Sequence, residues 1–319
     1  MTPFGYPTDR FHCLLDEQPY YLVPQRLLPA QENRDDLIVN PSCSFSWHGA
    51  LPADKALRTA FAEGLCPSDW IVWVDDPATQ TMWPYWVGAE YFDLLAPLAP
   101  GQPAPADLSP QAREVLMTAH ILVPPTYAAW RRRRWIDQIA QWSISYQRGY
   151  VVASGLIPPF QLGALRRYFR HQLRIGAYPL GDSQVPSRFV GYDEPVSRFV
   201  HHQLTSIVGD IALTLVRPSY TYMAAYQGGA ELVNHTDRAQ CEYSVTLCID
   251  ASPEPEEQSL WPIHLDTADG QLKVWQYLGD ALFYRGCYVP HGRERLADDQ
   301  TSTSLLFHYV DESFTGPLA

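Results

Sequence analysis

Hydrophobic and polar positions follow a strand-like pattern through the second half of the chain. Residues 222–237 predict a strand, a turn at Gly228-Gly229 and a second strand. The apolar run at residues 243–249 is typical of a strand that is buried on both faces. Further along, residues 279–286 predict a turn and a strand, and residues 301–310 predict a closing strand. These runs together predict a β-rich domain.

An acidic segment rich in proline, residues 252–259, interrupts these strands with the sequence Ser-Pro-Glu-Pro-Glu-Glu-Gln-Ser. Two prolines within so short a stretch predict a loop. Such a loop is either a lid beside a binding site, because a lid must be poorly packed in order to open, or a solvated connection without contact to a substrate. The sequence leaves both interpretations open.

The first part of the chain mixes strand and helix patterns. A short apolar run at residues 70–74 predicts a buried strand. Residues 87–95 and 109–120 predict two helices. The second helix begins favourably, because Ser109 is a good N-cap and Pro110 suits the first helical position.

A longer helix is predicted over residues 127–146, directly after the apolar segment at residues 121–125. It separates the mixed first part of the chain from the β-rich second part. We therefore predict a smaller N-terminal α/β domain at residues 1–125, a connecting helix at residues 126–147, and a β-rich domain at residues 148–319.

Three side chains in the β-rich part form a candidate metal site. The triplet His235-Thr236-Asp237 places two possible ligands on one side of a strand, because residues i and i+2 of a strand point the same way. His291 must then come from a strand that is distant in sequence but adjacent in space. Two imidazoles and one carboxylate occupy one face of an octahedral Fe(II) and leave three positions open.

A second triplet of the same type, His264-Leu265-Asp266, is a rival. It lacks the glycine turn that precedes His235, and little chain separates it from His291 for the intervening strands. We therefore favour the set His235, Asp237 and His291. His308 is expected to be a wall or core residue of the closing strand.

Around the favoured set, the chain resembles the Fe(II)- and 2-oxoglutarate-dependent oxygenases, in particular the prolyl-4-hydroxylase-like branch. The resemblance rests on the Tyr-x-x-Gly approach to His-x-Asp, the Gly-Asp-Ala-Leu-Phe strand, the distal Pro-His and the aromatic closing strand. It covers roughly residues 146–310, about one domain. It implies a double-stranded β-helix of the jelly-roll or cupin-like type with flanking helices, and hence a mixed α+β fold for the chain. It also implies Fe(II), 2-oxoglutarate as cosubstrate, O2, and hydroxylation of an unactivated C–H bond.

The resemblance further implies a basic residue that holds the far carboxylate of 2-oxoglutarate, but its position falls at Thr301. Arg293 is the substitute we expect, because a regular strand turns it to the same side as His291 and a guanidinium binds a carboxylate through two charge-assisted bonds. Thr301 and Thr303 are expected to donate hydroxyl bonds to the same group. Tyr226 matches a position where the family places a tyrosine beside the cosubstrate. Weaker candidates for the basic residue are Arg238, Arg285 and Arg295. Ordinary surface or packing roles are the alternative for all of these residues.

Composition limits the classes of partner. The 319 residues carry a formal net charge of −12, which argues against a nucleic-acid backbone as the main partner. The basic run at residues 131–134 fits a solvated helix face or an interdomain contact better than a nucleic-acid site. No apolar stretch is long enough to span a membrane. We expect a small-molecule or peptide substrate, and the oligomeric state stays open.

The cysteines and the first residues bear on the cellular environment. None of the six cysteines forms a CxxC pair, and residues 1–10 lack a basic region followed by an apolar core. We therefore expect no disulfide framework and no signal peptide. A reducing cytoplasm is the expected location, and it suits an enzyme that needs ferrous iron.

Several alternatives remain for the function. The strand, helices and apolar segment of residues 70–125 resemble the winged-helix, PqqD-like modules that hold peptides in modified-peptide biosynthesis, and a structural cap is the other interpretation. A substrate from natural-product or modified-peptide assembly would suit the first interpretation. The β-rich domain has two alternatives of its own. One is a metal-dependent, cupin-like enzyme that does not use 2-oxoglutarate, and the other is a non-catalytic binding protein with a degenerate site.

Overall fold

The computed structural model describes residues 6–18, 20–29, 35–49, 64–66, 70–256 and 258–318. Within these ranges the α-helices are α1 (Ala89–Leu95), α2 (Pro110–Thr118), α3 (Tyr127–Tyr146), α4 (Pro159–Arg174) and α5 (Pro195–Ala212). Short 3-10 helices cover Leu15–Glu17, Tyr20–Leu22, Gln25–Leu27, Ser46–His48 and Ala239–Cys241. The strands are β1 (Ile38–Val39), β2 (Cys43–Phe45), β3 (Ile71–Asp76), β4 (Thr81–Trp86), β5 (Leu122–Val123), β6 (Tyr150–Ala153), β7 (Arg188–Tyr192), β8 (Val216–Tyr226), β9 (Leu232–His235), β10 (Tyr243–Ser252), β11 (Ile263–Thr267), β12 (Gly270–Val274), β13 (Ala281–Tyr284), β14 (His291–Arg293) and β15 (Thr301–Asp311).

The chain divides into two compact units. The N-terminal unit comprises Met1–Asp137 and Ile157–Tyr168, and the C-terminal unit comprises Gln138–Leu156 and Phe169–Ala319. The domain boundaries predicted from the sequence, after residues 125 and 147, stay a prediction. The main difference between the two divisions is the segment Ile157–Tyr168, which groups with the N-terminal unit.

A three-stranded antiparallel sheet in the order β2-β3-β4 is the centre of the N-terminal unit. Residues 71–74 of the strand predicted at residues 70–74 lie in β3, and these four residues are buried, whereas Trp70 precedes the strand and is exposed. The two predicted helices are present as α1 and α2. The Oγ of Ser109 accepts a hydrogen bond from the backbone N–H of Ala112 at 3.1 Å, so the predicted N-cap is confirmed.

The C-terminal unit contains two antiparallel sheets. The large sheet has the strand order β6-β13-β10-β15-β8-β7, and the small sheet has the order β12-β11-β14-β9. The strands predicted in the second half of the sequence are present as β8, β9, β10, β13 and β15. Consecutive strands mostly alternate between the sheets, and β15 returns to lie between β10 and β8. The two sheets therefore bring together residues that are far apart in the sequence.

Apolar side chains from both sheets form a shared core. Ile263, Leu265 and Val274 of the small sheet pack in one buried cluster with Leu282 and Tyr284 of the large sheet. Such a cluster arises because every second residue of a strand points toward the facing sheet. Burial of this apolar surface is what holds the sheets together face to face.

Helix α5 covers the other face of the large sheet. Its N-terminus is capped by Glu194, whose carboxylate accepts a hydrogen bond from the N–H of Ser197 at 2.7 Å. The ring of His201 lies 5.7 Å from that of Phe307 and 4.4 Å from that of Tyr309. Phe307 and Tyr309 of β15 therefore face the helix, and the residues next to them in the strand point the opposite way, toward the small sheet.

Two further predictions concern the surface. After Ser252, the described residues of the acidic segment 252–259 form no helix or strand, as predicted. None of the helices in the described ranges has the length and hydropathy needed to cross a membrane.

Candidate metal centre

A cavity of about 500 Å³ lies between the two sheets of the C-terminal unit. The large sheet lines it with residues of β8, β10, β13 and β15, and the small sheet with residues of β9, β11 and β14. From β15 the lining residues are Ser304, Leu306 and His308, all of them even-numbered. A cavity of this size falls within the range of small-molecule sites.

The three predicted metal ligands meet on the wall of this cavity. Strands β9 and β14 pair so that His235 lies opposite His291, with ring centroids 4.5 Å apart. The Oδ1 of Asp237 lies 3.6 Å from the Nε2 of each histidine. The candidate ligand atoms of the three residues all lie within 4.8 Å of one another, close enough to hold one metal ion.

The location of Asp237 relative to strand β9 differs from the one expected. Strand β9 ends at His235, so Asp237 lies beyond the strand rather than two residues along it. Its backbone N–H donates to the carbonyl oxygen of Gly286 at 2.9 Å. This bond fixes the turn that directs the carboxylate toward the two imidazoles.

Both histidines have a fixed tautomer. The Nδ1–H of His235 donates to the carbonyl oxygen of Val233 at 2.8 Å, and that of His291 donates to the carbonyl oxygen of Val289 at 3.0 Å. A bond to a carbonyl oxygen requires the proton on Nδ1 and leaves the lone pair of Nε2 free. The two Nε2 atoms can therefore act as ligands without rearrangement.

The carboxylate of Asp237 is ionised. Burial by itself favours the protonated acid, but interactions with the imidazoles of His235, His308 and His291 outweigh burial and lower the pKa of Asp237 to about 2. The interaction with the carboxylate of Asp237 in turn raises the pKa of His235, whereas burial lowers the pKa of His291. An anionic oxygen beside two imidazole nitrogens is a suitable donor set for a divalent transition metal.

The side chains of Ser244 and His308 form a hydrogen-bonded chain that supports the carboxylate of Asp237. The Oγ–H of Ser244 donates to Oδ2 of Asp237 at 3.1 Å, and the Nδ1 of His308 lies 3.0 Å from the same Oγ. Burial lowers the pKa of His308 to about 4, so this imidazole is neutral and donates its Nδ1–H to Ser244. His308 is thus a wall residue of the cavity, as predicted.

Cys241 belongs to a second group of possible ligand atoms, together with Asp237 and His308. Its thiol lies 3.0 Å from the hydroxyl of Tyr220. Burial raises the pKa of Cys241 to about 12, so the thiol is protonated in the absence of a metal and would have to lose this proton to bind one. The group of His235, Asp237 and His291 has the better donor chemistry.

Arg293 points into the cavity from β14, as expected. Its side chain is buried and lies 4.5 Å from the ring of Trp261, and its Nη1 donates to the carbonyl oxygen of Trp261 at 2.5 Å. Within the described residues, no carboxylate pairs with this guanidinium. A buried cation without a counter-charge is costly, and an anion in the cavity would remove that cost.

Tyr226 also lines the cavity, where it contacts a residue that the sequence did not reveal. Its hydroxyl accepts a hydrogen bond at 3.0 Å from Nη1 of Arg188, which is buried on β7. Arg188 pairs with Asp182 at 2.6 Å, so its charge is already balanced. Nothing in the sequence pattern signals Arg188, because its proximity depends on the pairing of β7 with β8.

The structure does not bring Thr301 and Thr303 to the cavity. Both are odd-numbered residues of β15, whereas the residues of this strand that line the cavity are Ser304, Leu306 and His308, and Thr301 instead lines a separate small cleft beside Trp261. Among the weaker arginine candidates, Arg238 alone lines the cavity. Arg295 forms a surface pair with Asp298, and Arg285 is exposed beside the rings of Tyr243 and Tyr288.

The rival triplet lies on β11 and has other partners. The Nε2 of His264 lies 3.6 Å from the carboxylate of Glu294, and the carboxylate of Asp266 accepts hydrogen bonds from Asn234 and Gln271. Neither residue lines the cavity. The acidic segment 252–259 lines a separate small cleft next to Trp261, so its role as a lid stays a prediction.

Comparison with known proteins gives matches at the level of structure alone. No model of a protein family matches the sequence, and no curated protein matches it. Similar solved structures include SnoN, a non-heme alpha ketoglutarate dependent epimerase from nogalamycin biosynthesis, with 13% identity, a TM-score of 0.45, and coverage of 55% of this chain and 83% of that one. A prolyl-4-hydroxylase of Pseudomonas putida has 15% identity and a TM-score of 0.44, with 55% of this chain and 100% of that chain covered. A 2OG-Fe(II) oxygenase family oxidoreductase of Burkholderia pseudomallei has 12% identity and a TM-score of 0.42, with 54% and 89% covered. The family that the sequence resembles is thus also found among the similar solved structures.

Proposed function

We propose that this protein is an Fe(II)- and 2-oxoglutarate-dependent oxygenase that hydroxylates an unactivated C–H bond of an amino acid, a peptide or a small natural product. The observation that carries the proposal is the convergence of His235, Asp237 and His291 on the wall of a cavity of about 500 Å³. The buried guanidinium of Arg293 in the same cavity supports the choice of an anionic cosubstrate.

The donor set fits ferrous iron. Two neutral imidazoles and one carboxylate supply three ligands from one side, and the cavity lies on the other side, where further ligands can enter. Two histidines and one carboxylate with open positions are typical of non-heme Fe(II) oxygenases. The carboxylate of Asp237 would offset one of the two positive charges of the metal.

The cavity also fits a dicarboxylate. Arg293 lies two residues beyond His291 on the short strand β14, so one strand carries both a metal ligand and a cation. Of the two buried arginines that line the cavity, Arg188 is already paired with Asp182, whereas Arg293 has no carboxylate partner among the described residues. We therefore assign Arg293 as the anchor for the far carboxylate of 2-oxoglutarate, with Tyr226 beside it.

The strand order supports a double-stranded β-helix as the framework of this site. The eight strands from β8 to β15 are divided into four of the large sheet, β13-β10-β15-β8, and four of the small sheet, β12-β11-β14-β9. Two facing four-stranded antiparallel sheets of this kind make a jelly roll. Strands β6 and β7 extend the large sheet at its two edges.

When bound, iron and 2-oxoglutarate supply the oxidising power, since O2 is reduced while the cosubstrate loses carbon dioxide and becomes succinate. The protein supplies geometry and a dry environment. His235 and His291 are held in orientation by their Nδ1–H bonds, and the buried ring of Tyr284 packs 4.7 Å from that of His291. These contacts leave little freedom for either imidazole to turn away from the metal.

The proposal is tested by the consumption of O2 and 2-oxoglutarate in the absence of a substrate. If the metal centre activates O2 with 2-oxoglutarate, Fe(II)-loaded protein should form succinate in proportion to the O2 consumed. His235→Ala should abolish this reaction. A protein that binds iron tightly but consumes no O2 in response to 2-oxoglutarate would instead support the cupin-like alternative.

A further inference from the structure

Arg238 follows Asp237 directly and lies at the mouth of the cavity. Its side chain is exposed and lines the cavity, in contrast to the buried Arg293. The Nε–H donates to the hydroxyl of Tyr220 at 3.1 Å, and the guanidinium carbon lies 4.4 Å from the centroid of the same ring. The guanidinium also interacts electrostatically with the hydroxyl of Tyr192.

These contacts hold the guanidinium in place but leave its charge uncompensated. Tyr192 and Tyr220 stack on each other, with centroids 5.3 Å apart and an interplanar angle of 19°, and both hydroxyls are neutral. Among the described residues, no carboxylate pairs with Arg238. A cation that is oriented by neutral groups is well prepared to bind an anion, because little side-chain freedom is left to lose.

The balance of charge in the cavity also indicates that the positive charge of Arg238 is not compensated. Five charged side chains line it, namely Asp182, Arg188, Asp237, Arg238 and Arg293. Asp182 and Arg188 neutralise each other. When Fe(II) and the 2-oxoglutarate dianion are bound, the positive charge of the metal cancels the negative charge of the cosubstrate. The negative charge of Asp237 then cancels the positive charge of Arg293. Arg238 then remains as a single positive charge at the mouth.

We infer that Arg238 binds a carboxylate of the substrate, and that the substrate is a small carboxylic acid such as an acidic metabolite, an amino-acid derivative or the C-terminus of a short peptide. This inference rests on the proposed function and specifies the substrate class for the same cavity. One uncompensated positive charge matches a carboxylate better than a phosphate monoester, which carries about −1.5 to −2 charges. Tyr192 and Tyr220 would flank the bound carboxylate.

The test uses Mn(II)-loaded protein with 2-oxoglutarate and three sets of probes. The first set contains the N-acetyl derivatives of the twenty common L-amino acids, each with a free carboxylate. The second contains the matching primary amides, and the third is the primary amide of N-acetyl-O-phospho-L-serine. Broadening of the probe signals in NMR spectra by Mn(II) reports binding near the metal, and titration gives the affinity of each probe.

We expect at least one acid to bind about tenfold or more tightly than its amide, as the loss of a charge-assisted hydrogen bond would require. Arg238→Gln should abolish this preference. Arg285→Gln is the matched control, because Arg285 is also exposed beside tyrosine rings but does not line the cavity, and it should keep the preference.

Three results would overturn the inference. They are equal binding of all acids and amides, failure of every acid to bind, and an acid preference that persists in Arg238→Gln. Tighter, Arg238-dependent binding of the phosphoserine probe would also overturn it, in favour of a phosphate. The proposed function is tested separately in the same samples, because loss of Mn(II) binding in His235→Ala and of 2-oxoglutarate binding in Arg293→Gln does not depend on Arg238.

Discussion

The backbone carbonyl of Gly286 accepts a hydrogen bond from the N–H of Asp237 at 2.9 Å, and the α-carbon of Gly286 faces the carboxylate of the same residue. A β-carbon at this position would overlap Oδ2 of Asp237 and the Oγ of Ser244. The glycine is therefore needed for a close approach, since it lets the turn after β13 pack directly against the candidate metal ligand.

Gly286→Ala should weaken metal binding selectively. The added methyl group must displace the Asp237 carboxylate or the Ser244 hydroxyl, so we expect a loss of metal affinity of about tenfold or more. Overpacking should also lower the free energy of unfolding by about 1–3 kcal/mol. Mn(II) titration and urea denaturation measure the two effects.

Gly228→Ala is the control for this substitution, because a β-carbon there would overlap the backbone of Asp298, which is not part of the metal centre. We expect it to lose stability but to keep its affinity for Mn(II). Unchanged metal affinity in folded Gly286→Ala would contradict the close approach that we describe.

The hydrogen bond from Ser244 to Asp237 should also contribute to metal binding. In Ser244→Ala, Oδ2 of Asp237 and the Nδ1–H of His308 both lose their hydrogen-bond partner. The loss of such a supporting partner typically lowers metal affinity about 10–100-fold. Ser304→Ala is a matched control, since Ser304 lines the same cavity and its buried Oγ has no hydrogen-bond partner in the part of the chain that the structure describes. Equal metal affinities of the two variants would contradict the role of Ser244.

The ion pair between Asp182 and Arg188 should make stability depend on pH. Burial opposes ionisation of Asp182, but hydrogen bonds from Tyr222, from two backbone N–H groups and from Arg188 lower its pKa from 3.8 to about 2. Because the pKa is lower in the folded state, the carboxylate stabilises the fold above about pH 4, and this stabilisation is lost as the pH falls toward 2.

Asp182→Asn should therefore be less stable than the wild type at pH 7, by about 1–3 kcal/mol, and the difference should shrink between pH 4 and pH 2. Urea denaturation over this pH range measures the effect. Asp298→Asn is the control, because the pair of Asp298 with Arg295 lies at the surface and contributes little. A difference between wild type and Asp182→Asn that is constant with pH would be evidence against this account.

Replacement of both threonines at the start of β15 should leave cosubstrate binding intact. Neither Thr301 nor Thr303 lines the cavity, so their hydroxyl groups are not placed to contact a cosubstrate there. The double variant Thr301→Val, Thr303→Val should bind 2-oxoglutarate with the affinity of the wild type, measured by calorimetry in the presence of Mn(II). A loss of tenfold or more would show that a hydroxyl group reaches the cosubstrate after all.

The strands of the C-terminal unit could be predicted because their sequences keep apolar runs between glycine turns. The pairing of His235 with His291 followed from the need to bring two distant ligands together, and the register of β9 and β14 agrees with that expectation. The position of Asp237 beyond the end of its strand was not predictable, because it depends on a hydrogen bond with Gly286 from a distant turn.

The sequence also did not show which side of β15 faces the cavity. Ser302, Thr303, Ser304 and Leu305 are all buried, since a sheet and a helix cover the two faces of the strand. Alternation of polar and apolar residues, which normally distinguishes the two faces, is therefore absent. Arg188 was missed for a similar reason, because only the pairing of β7 with β8 brings it next to Tyr226.

The most direct test of the central claim is anaerobic titration of the Fe(II)-loaded protein with 2-oxoglutarate, followed by visible spectroscopy. The chelate of the cosubstrate with Fe(II) gives a weak charge-transfer band at about 500–530 nm, which is a property of the cofactor itself. We predict this band in the wild type and in Arg285→Gln, an affinity reduced about tenfold or more in Arg293→Gln, and no band in His235→Ala. Stoichiometric binding of iron without any band in the wild type would contradict the account.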